Sequence, residues 1–112
     1  MSAKLRRRFE QMLMFAVRVQ DIMKDKTLEA FLADGVIQDA ILYRLGQVGE
    51  VASNFSNEEQ EKYPTLFWRQ MVGLRHRLFH EYQEIDLVQI YDITQQPINS
   101  LISELNTILY NR

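Results

Sequence analysis

Residues 69–82 gather the side chains of this 112-residue chain that could do chemistry, since they hold both histidines and three of the thirteen basic residues. A helix turns by about 100° per residue, so His76 and His80 share a face, and so do Arg75 and Tyr82. Arg75 and His80 are five positions apart, roughly 140° around the axis, and do not form a tight cluster. A compact active site would therefore need a second helix or a second copy of the chain.

Three interpretations of this segment are open, and the first is a metal site shared by His76 and His80. Two histidines four apart on a helix can bind one ion. However, Arg77 occupies the position at which the metalloprotease pattern has a glutamate. No third ligand is evident apart from Glu81, and two adjacent arginines repel a cation. We therefore predict no metal and no cofactor.

The second interpretation is a metal-free ribonuclease site formed by Arg75 and His80. RNA cleavage needs a group that takes the 2′-hydroxyl proton, a group that protonates the leaving oxygen, and positive charge near the phosphorane. Histidine transfers protons near neutral pH, and arginine presents a permanently charged fork to phosphate oxygens. One residue of each kind is a sparse set, and a symmetric dimer would supply two of each.

The third interpretation gives the segment no catalytic role. Arg75 and Arg77 would then be solvated, and a carbonyl and the helix dipole would satisfy His80 at the helix end. Tyr82 would be an ordinary packed aromatic residue. Glu50 is most simply interpreted as a solvated glutamate, and its second possible role is to orient a catalytic residue.

Apolar residues three and four positions apart predict helices along most of the chain. The first helix spans about residues 3–25, a short one follows Thr27, and a long one follows Asp34. Gly46 and Gly49 lie inside this long helix, where each glycine costs about 1 kcal/mol relative to alanine. Their presence predicts that a neighbouring helix approaches closely.

The second half of the chain continues the helical pattern. Ser56 and Glu59 have the spacing of a capping box, a further helix begins at Leu66 and carries the segment with both histidines, and Asp86 caps a short helix. Pro97 suits the first position of a last helix. The sequence therefore predicts an all-α bundle of four main helices, which forms a single domain over residues 1–112.

Composition places further bounds on function. The net charge is −2, no cysteine is present, and residues 1–26 hold seven basic and three acidic side chains. No apolar run follows this basic start and none approaches the roughly 18 residues of a membrane span, so we predict a soluble, cytoplasmic protein. In an RNA-cleaving protein, basic side chains would guide RNA towards the cleft, and the candidates are Arg6, Arg7, Arg8, Arg69 and Arg77.

The pattern Arg75-x-x-x-x-His80-x-Tyr82 resembles the R-x-x-x-x-H-x-Y motif of HepT toxins in the HEPN superfamily. The flanking order is also similar over nearly the whole chain, at Phe31-Leu32, residues 37–40, the Leu45–Glu50 stretch, Tyr63-Pro64, Trp68 and Gly73-Leu74. One position departs from the pattern, because His76 stands where the family usually has another polar residue, most often asparagine.

The resemblance implies a HEPN-like four-helix fold, a homodimer whose motifs face each other, and metal-independent RNA cleavage by Arg75 and His80, with His76 in a supporting role. It also implies a minimal nucleotidyltransferase antitoxin of the MntA type, which would neutralise the toxin by attaching AMP to Tyr82. Adenylate would add bulk and negative charge where RNA phosphate should bind. The alternative is a non-catalytic HEPN-like subunit that binds substrate for a nucleotidyltransferase.

Overall fold

The computed structural model describes residues 1–112, which form seven α-helices and one 3₁₀ turn. The all-α fold is therefore confirmed. The elements are α1 (Ala3–Met23), α2 (Leu28–Leu32), α3 (Gly35–Ser53), α4 (Asn57–Glu61), α5 (Trp68–His80), the 3₁₀ turn (Tyr82–Glu84), α6 (Leu87–Ile93) and α7 (Gln96–Tyr110).

Side-chain caps set several of the helix starts, as their sequence positions predict. Thr27, Asp34 and Ser56 each accept a hydrogen bond, 3.1 Å long, from the amide three residues later. The Ser56 amide in turn donates to the Glu59 carboxylate at 2.8 Å, which completes the capping box. Asp86 likewise accepts from two amides at the start of α6. These bonds satisfy amides that have no partner within the helix.

Several boundaries differ from the sequence prediction by one or two residues, and α1 already ends at Met23. Helix α5 begins at Trp68, because the Leu66 amide donates to a turn carbonyl and Leu66 itself is buried outside the helix. It ends at His80, since Glu81 leaves the helical region with φ −131° and ψ 35°. Helix α7 begins one residue earlier than expected, so that Pro97 is its second residue.

The four long helices pack in the order α7, α1, α3, α5, and α6 packs against α2 and α7. One core of 24 buried apolar residues joins them. Phe9 of α1 lies at its centre, with its ring centroid 4.9 Å from that of Phe55 and 4.8 Å from that of Tyr63. Trp68 packs on Phe55 at 4.7 Å, which fixes the start of α5 in this aromatic cluster.

Helix α5 crosses α3 at closest approach beside Gly49. A β-carbon added at Gly49 would lie 2.6 Å from both the Arg75 Cβ and the Met71 carbonyl oxygen. At Gly46 the same atom would be 3.7 Å from Leu78, which is an ordinary contact. The predicted close approach is therefore confirmed at Gly49, whereas the packing at Gly46 does not require a glycine.

No helix of the protein combines the length with the apolar composition that crossing a bilayer would demand.

Candidate active site

Helix α5 divides its side chains between the core and the solvent. Trp68, Met71, Leu74 and Leu78 are buried at three- and four-residue steps, which fixes the rotation of the helix. The remaining positions of the last two turns carry the candidate functional side chains, which are Arg75, His76, Phe79 and His80. The apolar repeat therefore determines which way the motif faces.

Arg75 is held by contacts on two sides. Its Nε donates to Glu50 Oε2 on α3, and its guanidinium lies over the Phe79 ring, 5.4 Å from the centroid. Neither terminal nitrogen of the guanidinium has a hydrogen-bond partner within the chain. The Arg75 side chain is 35% exposed and the Glu50 side chain 49%, so both groups remain open to solvent. Arg75 is thus oriented but still able to bind an anion.

The structure favours the second of the two roles considered for Glu50, because its carboxylate pairs with Arg75 although its side chain remains 49% exposed. A signal for this contact was present in the sequence. Glu50 follows Gly49, and a glycine at a helix crossing places the next residue near the partner helix. The ionic partner is 25 residues away in the chain, however, so the spacing alone could not identify it.

His76 and His80 share one face of α5, as their four-residue spacing predicts. Their ring centroids are 4.7 Å apart, the ring planes are inclined by 42°, and both residues are exposed. No third histidine, cysteine, aspartate or glutamate joins them in a group that could hold a metal ion. The pair therefore presents two imidazoles side by side to solvent.

The guanidinium and the imidazoles occupy neighbouring rows of the helix surface. Arg75 turns towards Glu50 and Phe79, whereas His80 contacts His76, and no recorded contact joins Arg75 to His80. This arrangement agrees with the 140° that helical geometry places between them, roughly two-fifths of a turn. One copy of the chain does not close a compact pocket around both groups.

Tyr82 lies in the 3₁₀ turn, beyond the end of α5. It lines a cleft of about 530 Å³ between α3 and α5, together with Glu50, Phe79 and Tyr43. Tyr82 is 57% exposed, and Phe79 and Tyr43 are each 63% exposed. The helical argument that put Arg75 and Tyr82 on one face does not extend to Tyr82, but the turn still brings it to the side of α5 that faces α3.

The predicted RNA-guiding arginines are distributed over distant parts of the surface. Arg69 is exposed in the first turn of α5, and Arg77 donates to Gln89 of α6 at 3.1 Å. Arg8 pairs with Glu59 at 3.5 Å. The other two are Arg6, which donates to the Leu109 carbonyl at 3.1 Å, and Arg7, which is exposed.

The predicted RNA-guiding arginines in the first turns of α1 lie far from the two histidines. The Arg8 guanidinium lies over the Phe55 ring, which contacts Trp68 at the start of α5. His80 is twelve positions further along α5, about 18 Å at 1.5 Å per residue. Arg6 and Arg8 also have partners of their own. Arg69 is also distant, because it lies in the first turn of α5, eleven positions before His80. Only Arg75 and Arg77 lie on the same part of α5 as the two histidines.

The fold and this site together define an all-α protein of the HEPN type, with an arginine and a histidine pair on one helix and a tyrosine just beyond its end. The family model described as ribonuclease HepT-like matches residues 12–108. The chain therefore belongs to the ribonuclease HepT-like family of the HEPN superfamily. The family resemblance expected from the sequence is confirmed, and with it the enzyme class, since this is a family of ribonucleases.

Several curated proteins are similar to this chain. One from Methanocaldococcus jannaschii, named a putative RNase, is 29% identical over 80% of this chain and 83% of its own length. A second putative RNase from that organism is 33% identical over 80% of this chain and 74% of its own length. A protein of Thermococcus cleftensis named probable ribonuclease HepT is 28% identical over 74% of this chain and 76% of its own length. No solved structure matches the chain significantly.

Proposed function

We propose that residues 1–112 form a single HEPN domain that acts as a metal-independent endoribonuclease toxin in the cytoplasm. Its activity would depend on Arg75 and His80, and a nucleotidyltransferase antitoxin would neutralise it at Tyr82. Membership of the ribonuclease HepT-like family supports RNA as the substrate. The lack of cysteine fits a reducing compartment.

The orientation of Arg75 is the observation that carries this proposal. Glu50 engages the guanidinium through Nε alone, and Phe79 supports its face, which leaves both terminal nitrogens for a ligand. Two parallel N–H groups match two oxygens of one phosphate. We therefore assign Arg75 to the scissile phosphate.

The proposed reaction would use Arg75 together with the two histidines of α5. The RNA 2′-oxygen attacks phosphorus, the bond to the 5′-oxygen breaks, and the products are a 2′,3′-cyclic phosphate and a 5′-hydroxyl. Arg75 stabilises the charge that develops on the phosphoryl oxygens. His80 transfers a proton as a general acid or base, and His76 assists it from the same face of α5.

A homodimer would bring two sparse motifs into one cleft. The exposed aromatic side chains of Tyr43, Phe79 and Tyr82 line the cleft between α3 and α5, and Phe79 also contacts Arg75. Exposed aromatic side chains grouped in this way are typical of a contact surface. A symmetric contact across this face would oppose two copies of Arg75 and His80.

Tyr82 suits the role of the modified residue. Its side chain is exposed, and it shares the cleft with Glu50 and Phe79, both of which contact Arg75. Transfer of AMP to the tyrosine oxygen would place a phosphodiester and a purine beside the guanidinium. The added negative charge would compete with RNA phosphate for Arg75.

Cleavage of RNA by purified protein in EDTA tests the nuclease assignment. We expect wild type to cleave a single-stranded RNA, and His80→Ala to lose about 10²- to 10⁴-fold in rate, which is the usual contribution of a general acid or base. Gln70→Ala, another exposed position on α5, is the matched control and should cleave like wild type. Equal cleavage by wild type and His80→Ala, or cleavage by neither, would refute the assignment.

Expression in cells separates the toxin from the non-catalytic subunit. Growth arrest that His80→Ala relieves supports the toxin, whereas harmless expression with a tight nucleotidyltransferase complex supports the subunit. Intact mass after incubation with that enzyme and ATP tests the modification. Wild type and Tyr43→Phe should gain whole AMP units, and Tyr82→Phe should gain none. An unchanged wild-type mass would remove Tyr82 modification from the proposal.

A further inference from the structure

The two imidazoles on α5 form the closest pair of titratable rings in the protein, and they are its only histidines. A centroid separation of 4.7 Å places them in contact, but no hydrogen bond joins them to each other or to another residue. Their nitrogens are therefore available to a ligand that approaches from solvent. Two such groups could contact two oxygens of one phosphate together.

The charged neighbours of this pair are directed elsewhere. On α5 itself, Arg75 turns to Glu50 of α3 and Arg77 donates to Gln89 of α6. The acidic groups that follow α5 line a separate small cleft around Arg77, and they are Glu81, Glu84 and Asp86. Tyr82 lies in the cleft towards α3. No carboxylate lies within ion-pair distance of either imidazole. The two ion pairs of the protein are Arg8 with Glu59 and Arg75 with Glu50.

We propose that His76 and His80 of one chain divide the two proton transfers of RNA cleavage between them, an inference that rests on the nuclease function proposed above. One imidazole takes the proton from the 2′-hydroxyl as the bond from O2′ to phosphorus forms. The other, as imidazolium, gives a proton to O5′ as the bond from phosphorus to O5′ breaks. The two rings exchange protonation states in each turnover, and solvent resets them.

This assignment changes what a dimer has to supply. Each chain carries its own acid and base on one helix face, so a second copy is not needed for proton transfer. It contributes only further positive charge and the walls of the cleft. If the partner's His80 supplied the second proton transfer instead, replacement of His76 would leave the reaction nearly unchanged.

Two RNA substrates and two matched variants test whether His76 and His80 each carry out one of the two proton transfers. The variants are His76→Asn and His80→Asn, in which a polar side chain that cannot titrate replaces the imidazole at a similar helix propensity. The first substrate is a short single-stranded RNA oligonucleotide of mixed sequence. The second carries sulfur in place of the bridging 5′-oxygen at each linkage. A thiolate leaves without protonation, so the second substrate needs no acid.

On the oxygen substrate, wild type should show a rate that falls at both low and high pH. Each variant should lose about 10²- to 10⁴-fold and keep a fall on one side only. On the sulfur substrate, one variant should recover to near the wild-type rate and the other should not. The variant that recovers identifies the acid.

The opposite results would overturn the inference. His76→Asn that keeps a two-sided pH profile and a rate within about threefold of wild type leaves no proton transfer for His76. Rescue of both variants by sulfur, or of neither, contradicts a division between one acid and one base. Failure of wild type to cleave either substrate would instead remove the nuclease function itself, so the two failures are distinguishable.

Discussion

Replacement of Gly49 by alanine should destabilise the protein, although alanine is the better helix former. The added Cβ would lie 2.6 Å from the Met71 carbonyl oxygen and from the Arg75 Cβ. Neither atom can rotate away, because one belongs to the backbone and the other is fixed to it. The two helices must therefore move apart at the point where Arg75 meets Glu50.

The size of this effect follows from two opposing terms. Alanine gains about 1 kcal/mol over glycine inside a helix. Overpacking of a well-packed contact costs about 1–3 kcal/mol. Gly73 of α5 provides the control, because a Cβ there has nothing within 4 Å and only the favourable term applies. Gly49→Ala should therefore be about 2 kcal/mol less stable than Gly73→Ala, which corresponds to the middle of the overpacking range.

Urea denaturation followed by circular dichroism measures this difference. All variants should be compared at one protein concentration, since self-association stabilises the folded state by mass action. Gly46→Ala provides a second control within α3, because its Cβ would make only an ordinary contact of 3.7 Å with Leu78. It should follow Gly73→Ala rather than Gly49→Ala. A Gly49→Ala protein as stable as Gly73→Ala would refute the argument that α3 and α5 touch at this residue.

Three further predictions concern the site, a helix cap and the core. Glu50→Gln removes an exposed ion pair and should therefore change the free energy of unfolding by less than about 1 kcal/mol. Because Arg75 is then less firmly oriented, kcat/KM for RNA should fall by about tenfold or more. An unchanged kcat/KM would contradict the positioning role of Glu50. Hydrogen bonds from the Ser56 backbone and side chain, with Arg8 nearby, hold the pKa of Glu59 below its usual value, so its stabilising effect is present above that usual value and is lost as the pH falls through the lowered one. Ser56→Ala removes the hydroxyl but keeps the backbone amide, so it should raise the pKa of Glu59 only in part in an NMR titration, and an unshifted curve would show that the hydroxyl does not contribute. Phe9→Ala should cost about 3–5 kcal/mol in urea denaturation, because the ring is fully buried among aromatic neighbours, and a loss below 1 kcal/mol, well outside that range, would contradict its central position.

Most of the fold could be predicted because its signals are local. Apolar spacing and a capping residue act within one or two turns, so Thr27, Asp34 and Ser56 could be identified before any tertiary contact was known. The ends of α5 could not be predicted from such local signals. Leu66 is apolar and buried like Trp68 at the start of α5, and only the backbone separates it from the helix, through its turn hydrogen bond and the non-helical ψ of 59° at Phe67.

The sequence could predict which residues belong to the site but not which other residues they contact. The spacing of His76 and His80 was sufficient to place them on one face, because both belong to one unbroken helix. The partner of Arg75 could not be identified in this way, since Glu50 lies on another helix and the preceding Gly49 indicates a close approach of helices but not which side chains pair. The same limit applies to Gly46 and Gly49, which look alike in the sequence although only Gly49 lies at the helix crossing.

Helix α5 is secured unevenly along its length. Trp68 anchors its first turn among the rings of Phe9 and Phe55, whereas Phe79 and His80 of the last turn are exposed, as are residues 81–84 after it. Segments with few packed neighbours open at a lower free energy than the whole domain unfolds. We therefore expect moderate warming to abolish RNA cleavage while circular dichroism still shows nearly native helix content, and cleavage should return on cooling.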